Sequence, residues 1–123
     1  MFNGSDGEVV FSTPNDSGTW REYPVIADVD NDGHAEIVLA ANTFIPGATI
    51  TGLRVFEDIN DTWVATRSIW NQHAYHIDNI NDDGTVPAAE DPSWLSHNTF
   101  RLNAFPDRDA LDLPDLRVGS IQY

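Results

Sequence analysis

The residues of this chain best placed to do chemistry lie in one short stretch, Asp28-Val29-Asp30-Asn31-Asp32-Gly33-His34-Ala35-Glu36. Acidic side chains fall at its first, third, fifth and ninth positions, and a glycine stands at the sixth. A tight loop turns alternate residues inward, so Asp28, Asp30, Asp32, the His34 backbone carbonyl and Glu36 converge on one point. Several carboxylates that close repel one another strongly unless a cation sits among them. The donors are all oxygen, which suits calcium, a hard ion that takes 6–8 oxygens at about 2.3–2.6 Å. Magnesium prefers fewer carboxylates and more water, and zinc or copper would call for His or Cys. Gly33 permits the sharp turn that such a loop needs.

A second stretch has the same outline. Ile77-Asp78-Asn79-Ile80-Asn81-Asp82-Asp83-Gly84 aligns with Ile26-Ala27-Asp28-Val29-Asp30-Asn31-Asp32-Gly33. Ile26, Asp32 and Gly33 recur as Ile77, Asp83 and Gly84. The corresponding ligand set is Asn79, Asn81, Asp83 and the Thr85 carbonyl, with Glu90 to complete it. It carries less charge, and a weak second metal site and a solvated turn both fit it. The apolar run that follows the first loop is replaced here by Val86-Pro87-Ala88-Ala89-Glu90, so the repeat is partial.

The elements that must hold the first loop are strands. Residues 23–28 and 36–41 are short apolar runs rich in β-formers and flank it on either side. Residues 52–57 alternate as a half-buried strand does, and residues 62–69 read as a fourth. Residues 8–11 form a further short strand with no evident partner. A short helix is expected at 91–95, with Pro92 at its first position. The fold class is therefore all-β: an antiparallel four-stranded sheet like a propeller blade, carrying the calcium loop, then the partial second repeat and a C-terminal strand. The expected organisation is a β-repeat module over residues 1–105, an acidic linker over 106–115 and a strand over 116–123.

Composition narrows the partners. In 123 residues there are 20 acidic and 6 basic side chains, for a net charge of −14. The bases are all arginine. Such a balance argues against nucleic acid and anionic membrane surfaces, both of which need clustered cations. It also strains the compact state unless cations screen or bind the acids. Cysteine is absent, which removes disulfides, zinc–thiolate sites and thiol nucleophiles. No apolar run reaches the length of a membrane span. No signal peptide opens the sequence, so an extracellular chain would be a segment of a longer precursor. Glycosylation sequons at Asn3, Asn15 and Asn60 are short motifs that arise readily by chance.

Other constellations weigh less. His73, His76 and His97 could form a zinc trio, yet without a helix to align them hydrogen-bonded structural histidines are the simpler reading. Trp20, Trp63, Trp70, Trp94 and Tyr75 could stack on sugar rings, though tryptophans in a small β domain more often fill its core. Asp82 and Asp83 could make an acid/base pair only in an environment that separates their pKa values. No P-loop, nucleophile elbow or dinucleotide-binding glycine pattern appears, and no catalytic site is expected.

The string DVDNDGHAEIVLAAN, following a Tyr-Pro strand, closely resembles the FG-GAP or VCBS-type repeat of calcium-binding β-propellers. The resemblance matches that family's ligand positions to Asp28, Asp30, Asp32 and Glu36. TRSIWNQHAYHIDNINDDGTVP looks like the closing segment of such propellers in large bacterial surface or secreted proteins, and LPDLRVGSI resembles the opening strand of an Ig-like CARDB adhesion module. Residues 5–103 carry the resemblance. It implies an extracellular or cell-surface location and a structural or adhesive role without enzymatic activity. A glycan-binding module, or an accessory part of a polysaccharide-degrading enzyme, is the alternative. Propellers have about 4–8 blades, more than this chain holds. Neighbouring blades of a longer chain, or other copies joined by strand exchange, would have to complete it.

Overall fold

A computed structural model describes residues 1–20, 22–95 and 99–103. The linker at 106–115, the strand at 116–123 and His97 lie outside the described residues.

The regular structure among the described residues is a sheet of three strands and one 3-10 turn. The strands are β1 (Val25–Ala27), β2 (Glu36–Ala41) and β3 (Gly52–Phe56), paired antiparallel in the order β1-β2-β3. β1 is shorter than the run that announces it. Pro24 has no N–H to give a ladder, so pairing begins at Val25. β2 occupies the whole apolar run after the acidic loop and buries both its ends, Glu36 and Ala41.

The expected four-stranded blade is not what forms. Residues 62–69 are not a strand, because their backbone groups are taken by side chains and by single loop contacts. The Trp63 carbonyl faces the His34 ring, and both the N–H and the C=O of Arg67 pair with the amide of Asn103. Beyond that side chain the Arg67 carbonyl meets the sheet through a single bond, from the Asp28 N–H that follows β1. Residues 8–11 do find a partner, but only as a single bridge between Phe2 and Val9. Asn3 N–H donates to the Glu8 carbonyl and Gly7 N–H to the Asn3 carbonyl, closing a tight hairpin. The helix expected near Pro92 is one 3-10 turn, Ser93–Leu95, closed by Leu95 N–H on the Pro92 carbonyl at 3.0 Å.

The chain divides into two compact units. One contains Met1–Pro24 and Val38–Val55; the other contains Val25–Ile37 and the chain from Phe56 onward. In the first, loop 13–18 is tied down by polar contacts. Asp16 Oδ2 accepts from Thr49 N–H and Ile50 N–H at 2.7 Å each. The Arg54 guanidinium reaches Asn15 Oδ1 and Thr13 Oγ1. That grip settles which face of β3 is covered. Arg54 and Phe56 are half-buried while Leu53 and Val55 are exposed, the reverse of what the alternation predicts.

The second unit is built around Tyr75, which is fully buried and stacked on Trp70 with ring centroids 4.8 Å apart. The apolar core among the described residues is small: Ala27, Ala35, Ala41, Tyr75 and Ile80. Only part of the aromatic set enters it. Trp63 and Trp70 are half-buried, whereas Trp20 and Trp94 are exposed. The repeat seen in the sequence survives as a turn and not as a pair of strands. Gly33 and Gly84 both adopt positive φ, at 94° and 82°. The packing differs, since Val29 is exposed where its counterpart Ile80 is buried.

Candidate metal site

The first loop joins β1 to β2, so its two ends are fixed by neighbouring strands of one sheet. Asp28 follows directly on β1, and Glu36 is the first residue of β2. One carboxylate oxygen from each of Asp28, Asp30 and Glu36 lies within 4.8 Å of the others, a cluster that could hold a metal ion. Asp28 and Glu36 are buried, at 7% and 2% exposure, and Asp30 is exposed. The cluster therefore has two walls inside the protein and one on the solvent side.

The loop's own N–H groups hold these carboxylates in place. Asp28 Oδ1 accepts from Asn31 N–H at 2.7 Å, and its Oδ2 from Gly33 N–H at 3.2 Å. Glu36 Oε2 accepts from Val29 N–H at 2.7 Å. Asn31 and Gly33 both sit at positive φ, which is how the chain reverses twice in a few residues. A carboxylate oxygen has two lone pairs, so each oxygen bonded this way keeps capacity for a cation.

The electrostatics are one-sided. Burial pushes the Glu36 carboxyl above its usual range, Val29 N–H opposes that, and the charges of Asp30, Asp32 and Asp28 push it further up. No basic group is among the charges acting on it. The Arg67–Asp82 and His76–Glu90 ion pairs lie elsewhere. A buried anion facing three other anions either takes a proton or takes a cation.

Asp32 is not in the converging group. Its Oδ1 accepts from His34 N–H at 2.8 Å, an Asx-type turn that shapes the loop. His34 turns its ring away, with Nδ1 donating to the Trp63 carbonyl at 3.0 Å. That bond, assisted by Asp32, Asp61 and Asp28, raises the imidazole pKa against the opposing effect of burial.

The second set of residues is divided. The Asn79 amide is spent on the backbone, accepting from His76 N–H and donating to the Ala74 carbonyl. Glu90 pairs with His76 Nε2. Asn81 and Asp83 both bond the Thr85 hydroxyl, which stabilises the turn itself. Asp83 is held below the usual carboxylate range by the Thr85 hydroxyl and N–H.

Two of the three histidines of the suspected zinc trio are described, and each has a partner of its own. His73 Nε2 meets Arg101, and His76 meets Glu90. Of the supposed acid/base pair, Asp82 bonds the Arg67 guanidinium at 2.8 Å.

Arg67 is the residue that sequence reasoning passed over. It is 7% exposed and donates to Tyr75 Oη, to the carbonyls of Ile77 and Ile80, and to Asp82. Its carbonyl accepts from Asp28 N–H at 3.3 Å. The one local signal was an arginine inside a run read as a strand. Nothing in the sequence marks Asn103, its other partner.

In comparisons with known proteins, no family model, no curated protein and no solved structure matches this chain.

Proposed function

We propose that the Asp28–Glu36 loop binds calcium and that the chain is a calcium-stabilised, all-β structural or adhesive module of the FG-GAP/VCBS type, working outside the cell. The observation that carries this reading is the convergence of two buried carboxylates, Asp28 and Glu36, with Asp30, where no basic group is among the charges acting on Glu36. Three carboxylate oxygens are half of the smallest calcium shell. Carbonyls of the loop and water would supply the rest. The ion would offset the repulsion and link the end of β1 to the start of β2. The role assigned is structural, with no catalytic step.

Extracellular calcium modules bind at about 10⁻⁴–10⁻³ M. At a hundredfold excess over Kd, a ligand that binds only the folded state adds about 2.7 kcal/mol. A thermal melt in millimolar calcium, repeated with EDTA, tests this. The midpoint should rise with calcium and fall with chelator. A midpoint indifferent to both removes the reading.

A glycan-binding role has one observation in its favour. Trp20 is fully exposed and, with Phe44 at 76% exposure, lines an open hollow beside Gly18 and Thr19. Asn42 Oδ1 accepts from both Gly18 N–H and Phe44 N–H at 3.1 Å, which fixes the two segments together. Exposed aromatic faces beside such a hollow suit the apolar faces of sugar rings. Binding on a glycan array that vanishes in Trp20→Ala would favour this reading. Completion of the sheet by neighbouring blades or by further copies of the chain belongs to the same proposal, and sedimentation in calcium and in EDTA addresses it.

A further inference from the structure

We propose that Asn103 is a positioning residue for the metal loop, acting through the peptide group of Arg67. For its effect on affinity the proposal rests on the calcium reading; for its effect on geometry it stands alone.

Asp28, the first ligand, is anchored by its backbone. Its N–H donates to the Arg67 carbonyl at 3.3 Å. One side chain grips that carbonyl and the amide of the same residue together. Asn103 Nδ2 donates to Arg67 O at 2.7 Å, and Asn103 Oδ1 accepts from Arg67 N at 3.2 Å. The Oδ1 atom also accepts from the Tyr75 hydroxyl at 3.0 Å. Both lone pairs of Oδ1 are then in use, and one of the two Nδ2 hydrogens is committed to the Arg67 carbonyl.

The fit is specific to an asparagine. An aspartate would keep the acceptor and lose the donor. A leucine of similar size would lose both. A glutamine would be one methylene too long for a site that includes a fully buried tyrosine.

The rest of Arg67 is held as firmly. Its Nη1 donates to Tyr75 Oη at 3.2 Å and to Ile77 O at 3.3 Å, and its Nη2 to Ile80 O at 3.0 Å. Clamped at both ends, the residue cannot slide, and the oxygen it shows to Asp28 stays in one place. Glu36 is placed by β2 and by the Val29 N–H, not by Arg67. The spacing between the Asp28 and Glu36 carboxylates thus depends in part on where the Arg67 carbonyl lies. Groups that orient a metal ligand without touching the metal act in this way, and their loss costs about 10–100-fold in affinity.

The test uses the full chain and three variants, Asn103→Asp, Asn103→Leu and Asp82→Asn. The last removes the exposed partner of Arg67 and leaves the clamp intact, so it controls for general loosening of this region. Calcium affinity is measured by calorimetry, and amide exchange is followed in EDTA.

Asn103→Asp and Asn103→Leu should weaken calcium binding about tenfold, while Asp82→Asn stays within about twofold. In EDTA, exchange at the Asp28, Asn31 and Gly33 amides should speed up in Asn103→Asp. If Asn103→Leu does not fold, Asn103→Asp, which keeps the bonds to Arg67 N and Tyr75 Oη, carries the result alone. The proposal is overturned if those three amides exchange as in the wild type, or if Asp82→Asn weakens binding as much as the Asn103 variants do. Wild-type protein that ignores calcium while the three amides still respond would remove the calcium reading and leave the positioning role standing.

Discussion

Four acidic side chains of the loop divide three tasks among them although they look alike in the sequence. Asp28 and Glu36 are buried and fixed by N–H donors, Asp30 closes the cluster from the solvent side, and Asp32 shapes the turn. Substitutions should separate these tasks. Asp30→Ala removes one of the converging oxygens and should lower calcium affinity by about tenfold or more, since ligand charge tunes such sites. Asp32→Ala should cost less in affinity and act mainly on the turn. Calorimetric titration of the two variants decides this; equal losses would place Asp32 among the ligands after all. Glu36→Gln should raise the melting temperature of the metal-free protein, because it removes a buried negative charge from a field of negative charges. The same change should erase the response to calcium. A melt in EDTA and a melt in calcium provide both readings.

At the scale of elements, polar grips decide more than strand propensity does. Asp16 is the clearest case. The N–H groups of Ile50 and then Thr49 hold its carboxyl below the usual range, with a smaller contribution from Arg54 and with burial opposing. A carboxyl whose folded pKa lies below its unfolded one adds stability at all pH values above the unfolded pKa. It loses that contribution as pH falls through the folded one. The melting-temperature gap between wild type and Asp16→Asn should therefore be full near neutrality and close as pH drops below about 4. A gap that stays constant in acid would show that the charge of Asp16 plays no part. The acidic loop and its two flanking strands were legible in the sequence because everything that makes them is local: alternating acids, a glycine, and apolar runs on either side. The supposed strand over 62–69 was not legible. Its run of β-formers is real, but the Arg67 backbone bonds a side chain 36 residues away, and no short window along the chain contains both partners. The covered face of β3 was not legible for a similar reason, since Arg54 is drawn inward by Thr13 and Asn15 from a distant loop.

For the whole molecule the governing quantity is a net charge of −14 set against a small apolar core. Screening should help it even without calcium. Sodium chloride at about 0.15 M shortens the Debye length to about 8 Å, and the midpoint of a melt in EDTA should rise on adding it. The rise should be smaller than that produced by millimolar calcium, which on the proposed reading binds as well as screens; a larger effect of sodium would mean that screening explains the whole stabilisation. The bond from Asp28 to the Arg67 carbonyl, and the grip of Asn103 on that carbonyl, also fix an order of events in time. On a ribosome the acidic loop emerges early, long before Asn103. Closing a longer loop costs only slightly more free energy than closing a shorter one, so the wide spacing matters to kinetics more than to equilibrium. Contacts between residues far apart in sequence form late. Until they form, the nascent loop is a flexible string of acids, and on the proposed reading durable capture of calcium awaits the arrival of a residue that never touches it.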